Sequence, residues 1–170
     1  LFSPRGTLIR PTSDRIKEFI FDYLGRKIEN ASVLDLFSGT GNLSIEALSR
    51  GADLAILVDK SKEAIRLIYR NLELTKLLSQ CQVIHQDVFR FLKIAASNGS
   101  RFDYIFADPP YSANIYGDLI DAIGKGNFLN KRGINLFIGK FTVHGLFIVN
   151  QSINRSIGKN FGKNLKHLFR

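Results

Sequence analysis

Methionine and tryptophan are absent from the 170 residues, and cysteine occurs once, at Cys81. A lone cysteine excludes an internal disulfide framework and fits a reducing compartment, so a cytoplasmic location is expected. No apolar run approaches the roughly 20 residues that a membrane helix needs. No secretory leader pattern opens the chain either. Leu1 begins a chain without methionine, which predicts that a short N-terminal piece precedes it. His85, His144 and His167 lie far apart and no cysteine pair accompanies them, so no metal site is expected. Internal repeats and low-complexity tracts are missing as well. Acidic residues are missing from one region only. After Asp121 there is no Asp or Glu but nine Lys and Arg, whereas residues 1–121 hold 15 of each sign. The net charge of +9 and the pI near 9.8 therefore come from the last third. Such one-sided basicity points to a polyanionic partner, although phosphate contacts carry no sequence choice.

The content that remains is that of a globular protein, 45% hydrophobic with a mean hydropathy of −0.01. The length predicts a single domain and a monomer, with a helical segment over residues 1–30 ahead of an α/β core over residues 31–170. Apolar runs alternate with helical patterns along that core. Ser32–Leu36, Ala55–Val58, Gln82–His85, Phe102–Ala107 and Ile134–Ile138 read as strands. Asn42–Arg50, Ser61–Leu74, Val88–Ala96 and Ile115–Ile123 read as the helices between and after them. Alternation of this kind predicts a doubly wound, mostly parallel sheet. Leu146–Val149 and Leu165–Phe169 read as two further strands forming an antiparallel edge. Ahead of the core, Ile16, Phe19, Ile20, Tyr23 and Leu24 make an amphipathic helix closed by Gly25, with Arg10 and Arg15 near its start as candidate site residues.

The first strand runs into Phe37-Ser38-Gly39-Thr40-Gly41, and a helix follows. Gly39 and Gly41 permit a tight turn and close backbone approach, and the helix aims free N–H groups at the same place. A dinucleotide fingerprint would need a third glycine at position 44, where Ser44 stands. Asp35 sits four positions before Gly39, inside the strand. A carboxylate there suits a positively charged ligand, such as an ammonium or a sulfonium, better than a pyrophosphate. The spacing D-x-x-x-G-x-G resembles motif I of class I S-adenosylmethionine methyltransferases. Asp59 ends the second strand eighteen residues after Gly41, the usual place for an acid that holds ribose hydroxyls or caps a helix. Asp87 and Asp108 lie at the ends of the third and fourth strands.

Asp108-Pro109-Pro110-Tyr111 carries the chemistry. Two prolines stiffen the backbone just past a buried strand. The motif resembles the [D/N]-P-P-[Y/F] motif of methyltransferases that modify exocyclic amino groups of bases. Such an amine is a poor nucleophile because its lone pair is delocalised into the ring. Hydrogen bonds from it to the Asp108 carboxylate and the Pro109 carbonyl would return electron density to nitrogen. Tyr111 would stack on the extruded base.

Together, Arg10-Pro11-Thr12-x-Asp14-Arg15-x-x-Glu18, Leu34–Gly41, Glu46–Ala52, Val58-Asp59, Asn71-Leu72, Asp87 and Asp108–Tyr111 resemble the RsmD-type bacterial small-subunit ribosomal RNA guanine-N2 methyltransferases. The resemblance covers about residues 5–133. It implies a Rossmann-like class I fold, S-adenosylmethionine as cofactor, and ribosomal RNA or the small subunit as partner. It also implies that Asp35 and Gly39 face the methionine part, Asp59 the ribose and Asp87 the adenine, with Phe37, Gly41 and Asp108 completing the cofactor site. Asp108, Pro109, Pro110 and Tyr111 would be catalytic, with Arg10, Arg15 and Tyr111 on the substrate. Where such families carry Glu-His after strand five, this chain has Gly139-Lys140. A DNA adenine-N6 methyltransferase shares the four-residue motif but needs a target-recognition segment for which no loop here has the length. A non-catalytic RNA-assembly factor is the other alternative, and a nicotinamide oxidoreductase fits Asp35 and Ser44 least.

Overall fold

The computed structural model describes residue 1 and residues 14–110, 115–138 and 146–150. Helix α1 spans Asp14–Leu24 and a 3₁₀ turn follows over Gly25–Ile28, entered through Gly25 at φ +51°. The core continues as β1 (Ser32–Leu36), α2 (Asn42–Ser49), β2 (Leu54–Asp59), α3 (Lys62–Thr75), β3 (Cys81–His85), α4 (Val88–Ser97), β4 (Phe102–Ala107), α5 (Ile115–Gly126), β5 (Leu129–Ile138) and β6 (Leu146–Asn150).

The sheet order is β3-β2-β1-β4-β5-β6. The first five strands are parallel, and β6 runs antiparallel to β5, which supplies the antiparallel edge. The reversed β6 separates this sheet from an all-parallel dinucleotide-binding one with the same order. Strand Leu165–Phe169 and the basic residues from Lys140 onwards lie outside the described residues, so β6 meets β5 and no second edge strand is seen.

Both sheet faces are covered, which explains why β1 is apolar at successive positions: Val33, Leu34 and Leu36 are all fully buried. On one face α1, α2 and α3 pack Phe21, Ile45 and Ile68 over Val33, Leu57 and Phe106. On the other, α4 and α5 pack Phe91, Leu92, Leu119 and Ile123 over Leu34, Val58 and Ile105. Phe21 meets Phe106 edge to face, with ring centroids 5.9 Å apart, so α1 belongs to the same core as the strands.

Strand β5 starts five residues before the Ile134 expected from sequence. Leu129 pairs with Phe102 and Ile134 with Tyr104, so the intervening residues bulge out of register. Asp103 anchors the bulge. It accepts from the Asn130 amide at 2.7 Å, the Ser32 N–H at 2.9 Å and the Ser32 hydroxyl at 2.8 Å. A Cβ at Gly133 would lie 3.0 Å from both the Phe102 carbonyl oxygen and Leu129 Cδ2, so a side chain there would crowd the bulge.

Candidate active site

The chain order reverses between β1 and β4, and ligands of such sheets bind beyond the strand C-termini at that reversal. The turn after β1 is held in an uncommon conformation. Phe37, Gly39 and Gly41 all have positive φ, at 59°, 55° and 75°. For Phe37, which carries a side chain, this costs about 1–3 kcal/mol and persists only where surrounding contacts impose it. Those contacts are present. Ser38 N–H donates to the Val58 carbonyl at 3.2 Å, and Gly41 N–H to the Ser38 carbonyl at 2.7 Å. Gly39 N–H donates to Asp59 Oδ2 at 2.9 Å, and the buried Asn71 amide to the Thr40 carbonyl at 3.0 Å. At Gly41 the positive φ favours glycine, and a Cβ there would also crowd Leu57 Cδ2 at 3.0 Å. Gly41 is the N-cap of α2 and no side chain caps that end. The first-turn N–H groups of α2 are left for a ligand's anionic end.

Asp35 is buried beneath this turn, 2% exposed. Its Oδ2 accepts from the Ser44 hydroxyl at 2.8 Å. This explains the residue that breaks the dinucleotide fingerprint, because a glycine at 44 would keep the backbone donor to Asp35 but remove the hydroxyl. Burial pushes the Asp35 carboxyl up to about 7, Ser44 works against that shift, and the charges of Asp108 and Asp59 add to it. Asp35 on β1 lies between β2, which ends at Asp59, and β4, which Asp108 follows. Neither Asp35 nor Asp59 has a Lys or Arg within ion-pair distance among the described residues. Two carboxylates without a protein cation, Asp35 and Asp59, fit a sulfonium and ammonium ligand.

Asp59 does more than the sequence suggested. Besides holding Gly39, it accepts from the Ser61 N–H at 2.8 Å, and the Ser61 hydroxyl in turn caps α3 at Ala64. Asp87 is exposed and caps α4 through Oδ1, accepting from Phe89 N–H at 3.0 Å and Arg90 N–H at 3.2 Å. It is not among the charges that act on Asp35. At the end of β4, Asp108 N–H reaches the Leu36 carbonyl at 3.4 Å, which ties the proline motif to the end of β1 and so to the cradle. Asp108 is half-buried, Pro109 buried and Pro110 exposed. The buried Tyr116 on α5 donates its hydroxyl to the Pro109 carbonyl at a long 3.4 Å. Tyr116 was not legible as a site residue, because its position on the apolar stripe of α5 reads as core. Arg15 is exposed on α1, while Arg10 and Tyr111 lie outside the described residues.

The family profile described as "Conserved hypothetical protein 95" matches residues 1–165. The "Putative rRNA methyltransferase YlbH" of Bacillus subtilis is 40% identical over 128 residues, 75% of this chain and 70% of that protein. "Ribosomal RNA small subunit methyltransferase D" of Haemophilus influenzae is 35% identical over 127 residues, 74% of this chain and 65% of that protein. The chain therefore spans about two thirds of the length of these relatives. A solved structure whose title reads "complexed with SAH" superimposes with a TM-score of 0.65 at 26% identity, covering 88% of this chain and 40% of the other. The sequence motifs, the sheet order and these matches agree, and the chain belongs to the Conserved hypothetical protein 95 family, that of the RsmD-type ribosomal RNA methyltransferases.

Proposed function

We propose that this protein methylates N2 of a guanine in small-subunit ribosomal RNA, acting as a cytoplasmic monomer. One observation carries the reading: the Asp108-Pro109-Pro110 motif is tied to the end of β1, where the glycine cradle and its buried acid Asp35 lie. The cofactor is S-adenosylmethionine, as in the methyltransferases of this fold. When bound it supplies an electrophilic methyl group on a sulfonium. Asp35 and the Gly39–Gly41 turn would hold the amino-acid end, with Phe37 alongside. Asp59 keeps unused lone pairs for the ribose hydroxyls, since each of its oxygens accepts one backbone N–H. Asp87 would take the adenine amino group on Oδ2.

The protein's own contribution to the reaction is aim. The two prolines hold the Asp108 carboxylate and the Pro109 carbonyl on a stiff support beside the cradle. Two acceptors there would bind both hydrogens of an exocyclic amine and direct its lone pair towards the cofactor. The Tyr116 hydroxyl donates to that carbonyl. The printed name of the Haemophilus relative, small-subunit methyltransferase D, supports ribosomal RNA as acceptor. Transfer of a tritiated methyl group to unmodified small-subunit ribosomal RNA, followed by nucleoside analysis, tests the proposal. The expected product is N2-methylguanosine. Asp108→Ala should lower turnover about 10²–10³-fold with little change in cofactor affinity. Label recovered as N6-methyladenosine, or label on DNA only, would overturn the reading.

A further inference from the structure

We infer that the outer face of α3 is a second RNA contact, a cationic and aromatic track for the strand beside the target nucleotide. The inference rests on the ribosomal RNA reading above. Lys62, Arg66 and Tyr69 follow one another at helical spacing and all are exposed, Tyr69 at 42%. Lys60, also exposed, extends the line to the rim. Lys62 to Tyr69 covers about 10 Å along the axis. The first acid on this line is Glu73, one turn beyond Tyr69, while Glu63 stands to its side.

The stripe joins three unpaired cations to one exposed ring on a single helix line. Some cations elsewhere are paired, Lys17 with Asp14 and Glu46 and Lys125 with Asp121, whereas Arg15 on α1 and Arg90 and Lys93 on α4 have no ion pair among the described residues. Lys60, Lys62 and Arg66 have no ion pair among the described residues. A cation left unpaired on a rigid helix remains available to a phosphate. Rigidity is built in, because the opposite face of α3 buries Ala64, Ile68 and Leu72 and its Asn71 grips the cradle at Thr40. The upper end of the stripe adjoins Asp59 through Ser61. RNA lying along α3 would therefore reach the same rim as the cofactor cradle. Tyr69, one turn beyond Arg66, offers an exposed ring on which a base can stack, the usual combination for single-stranded nucleic acid.

The test compares the wild-type chain with the triple variant Lys60→Gln, Lys62→Gln, Arg66→Gln and with Tyr69→Ala. Binding to unmodified small-subunit ribosomal RNA is measured across a potassium chloride series, with cofactor affinity from calorimetry as the control for folding. For the triple variant the slope of log affinity against log salt should flatten by about two units, at about 0.7 per lost phosphate contact. Tyr69→Ala should lose about tenfold in affinity with the slope unchanged. If the slope of the triple variant equals that of wild type while wild type still methylates the RNA, the stripe is a solvated face and the inference falls alone. If wild type binds the RNA with a stripe-dependent slope yet transfers no methyl group, the proposed reaction falls and the contact surface stands. An affinity of Tyr69→Ala equal to wild type would remove the stacking role.

Discussion

At the residue scale the decisive group is Asp35. Its folded-state carboxyl is pushed up to about 7 by burial, above the ordinary value near 3.9 of an unfolded chain. The folded state thus binds a proton that the unfolded state releases between about pH 4 and 7, so Asp35 lowers stability as pH rises through that window. A cationic ligand reverses the preference by favouring the ionised form. Cofactor affinity should therefore tighten about tenfold between pH 6 and pH 8, with proton release on binding at pH 6. Calorimetry in buffers of different ionisation enthalpy reads both, and Asp35→Asn should flatten the dependence. An unchanged pH profile in that variant would assign the titration elsewhere. Asp59→Ala should weaken cofactor binding by about 1–3 kcal/mol, partly by freeing the Gly39 N–H that Asp59 holds. Asp59→Asn, which keeps one acceptor, should lose less. Equal affinities for wild type and Asp59→Ala would remove Asp59 from the site. Tyr116→Phe should cost about 0.5–1.5 kcal/mol in turnover through a less firmly held Pro109 carbonyl, with cofactor affinity unchanged.

At the scale of elements, the beginning of β5 shows what local patterning leaves out. Burial pushes Asp103 up, but hydrogen bonds from the Ser32 backbone, Asn130 and the Ser32 hydroxyl outweigh it and hold the carboxyl below its ordinary value. A carboxyl lowered on folding stabilises above the unfolded value near 4 and loses that contribution as pH falls through the folded value. Asp103→Ala should thus destabilise by about 1.5–3 kcal/mol at pH 7, with the gap narrowing below pH 4 in chemical denaturation. A gap that stays constant down to pH 2 would contradict this. The five residues from Leu129 to Gly133 depend on that distant Asp103, so their own periodicity could not announce the strand. The opposite held for β4, where six consecutive apolar or half-buried positions ending in Asp108-Pro109 marked both limits. Asn135 on β5 is fully buried, and neither side-chain polar atom has a partner among the described residues. Asn135→Leu should raise stability by about 1–3 kcal/mol, since an unpaired buried amide carries its desolvation cost uncompensated.

At the scale of the whole molecule, the alternation of strand and helix made the doubly wound sheet legible, and the acids at strand ends marked its functional rim. The roles that escaped the sequence were those of side chains acting across long separations. Ser44 was visible as a departure from a glycine pattern but not as the donor to Asp35, and Asn71 was visible only as part of a family motif. The paired and unpaired cations on the helices could not be separated by counting charge, which drew attention to the last third of the chain and away from α3. The same limit applies to the base itself, because guanine N2 and adenine N6 are both ring-conjugated amines that Asp108-Pro109-Pro110 can serve. Nucleoside mass spectrometry of ribosomal RNA from cells lacking this protein decides between them, with wild type or Asp108→Ala restored in parallel. The account predicts that N2-methylguanosine falls by one residue per small subunit, returns with wild type and does not return with Asp108→Ala. N2-methylguanosine at the normal level in the deletion, with N6-methyladenosine lost instead, would contradict it.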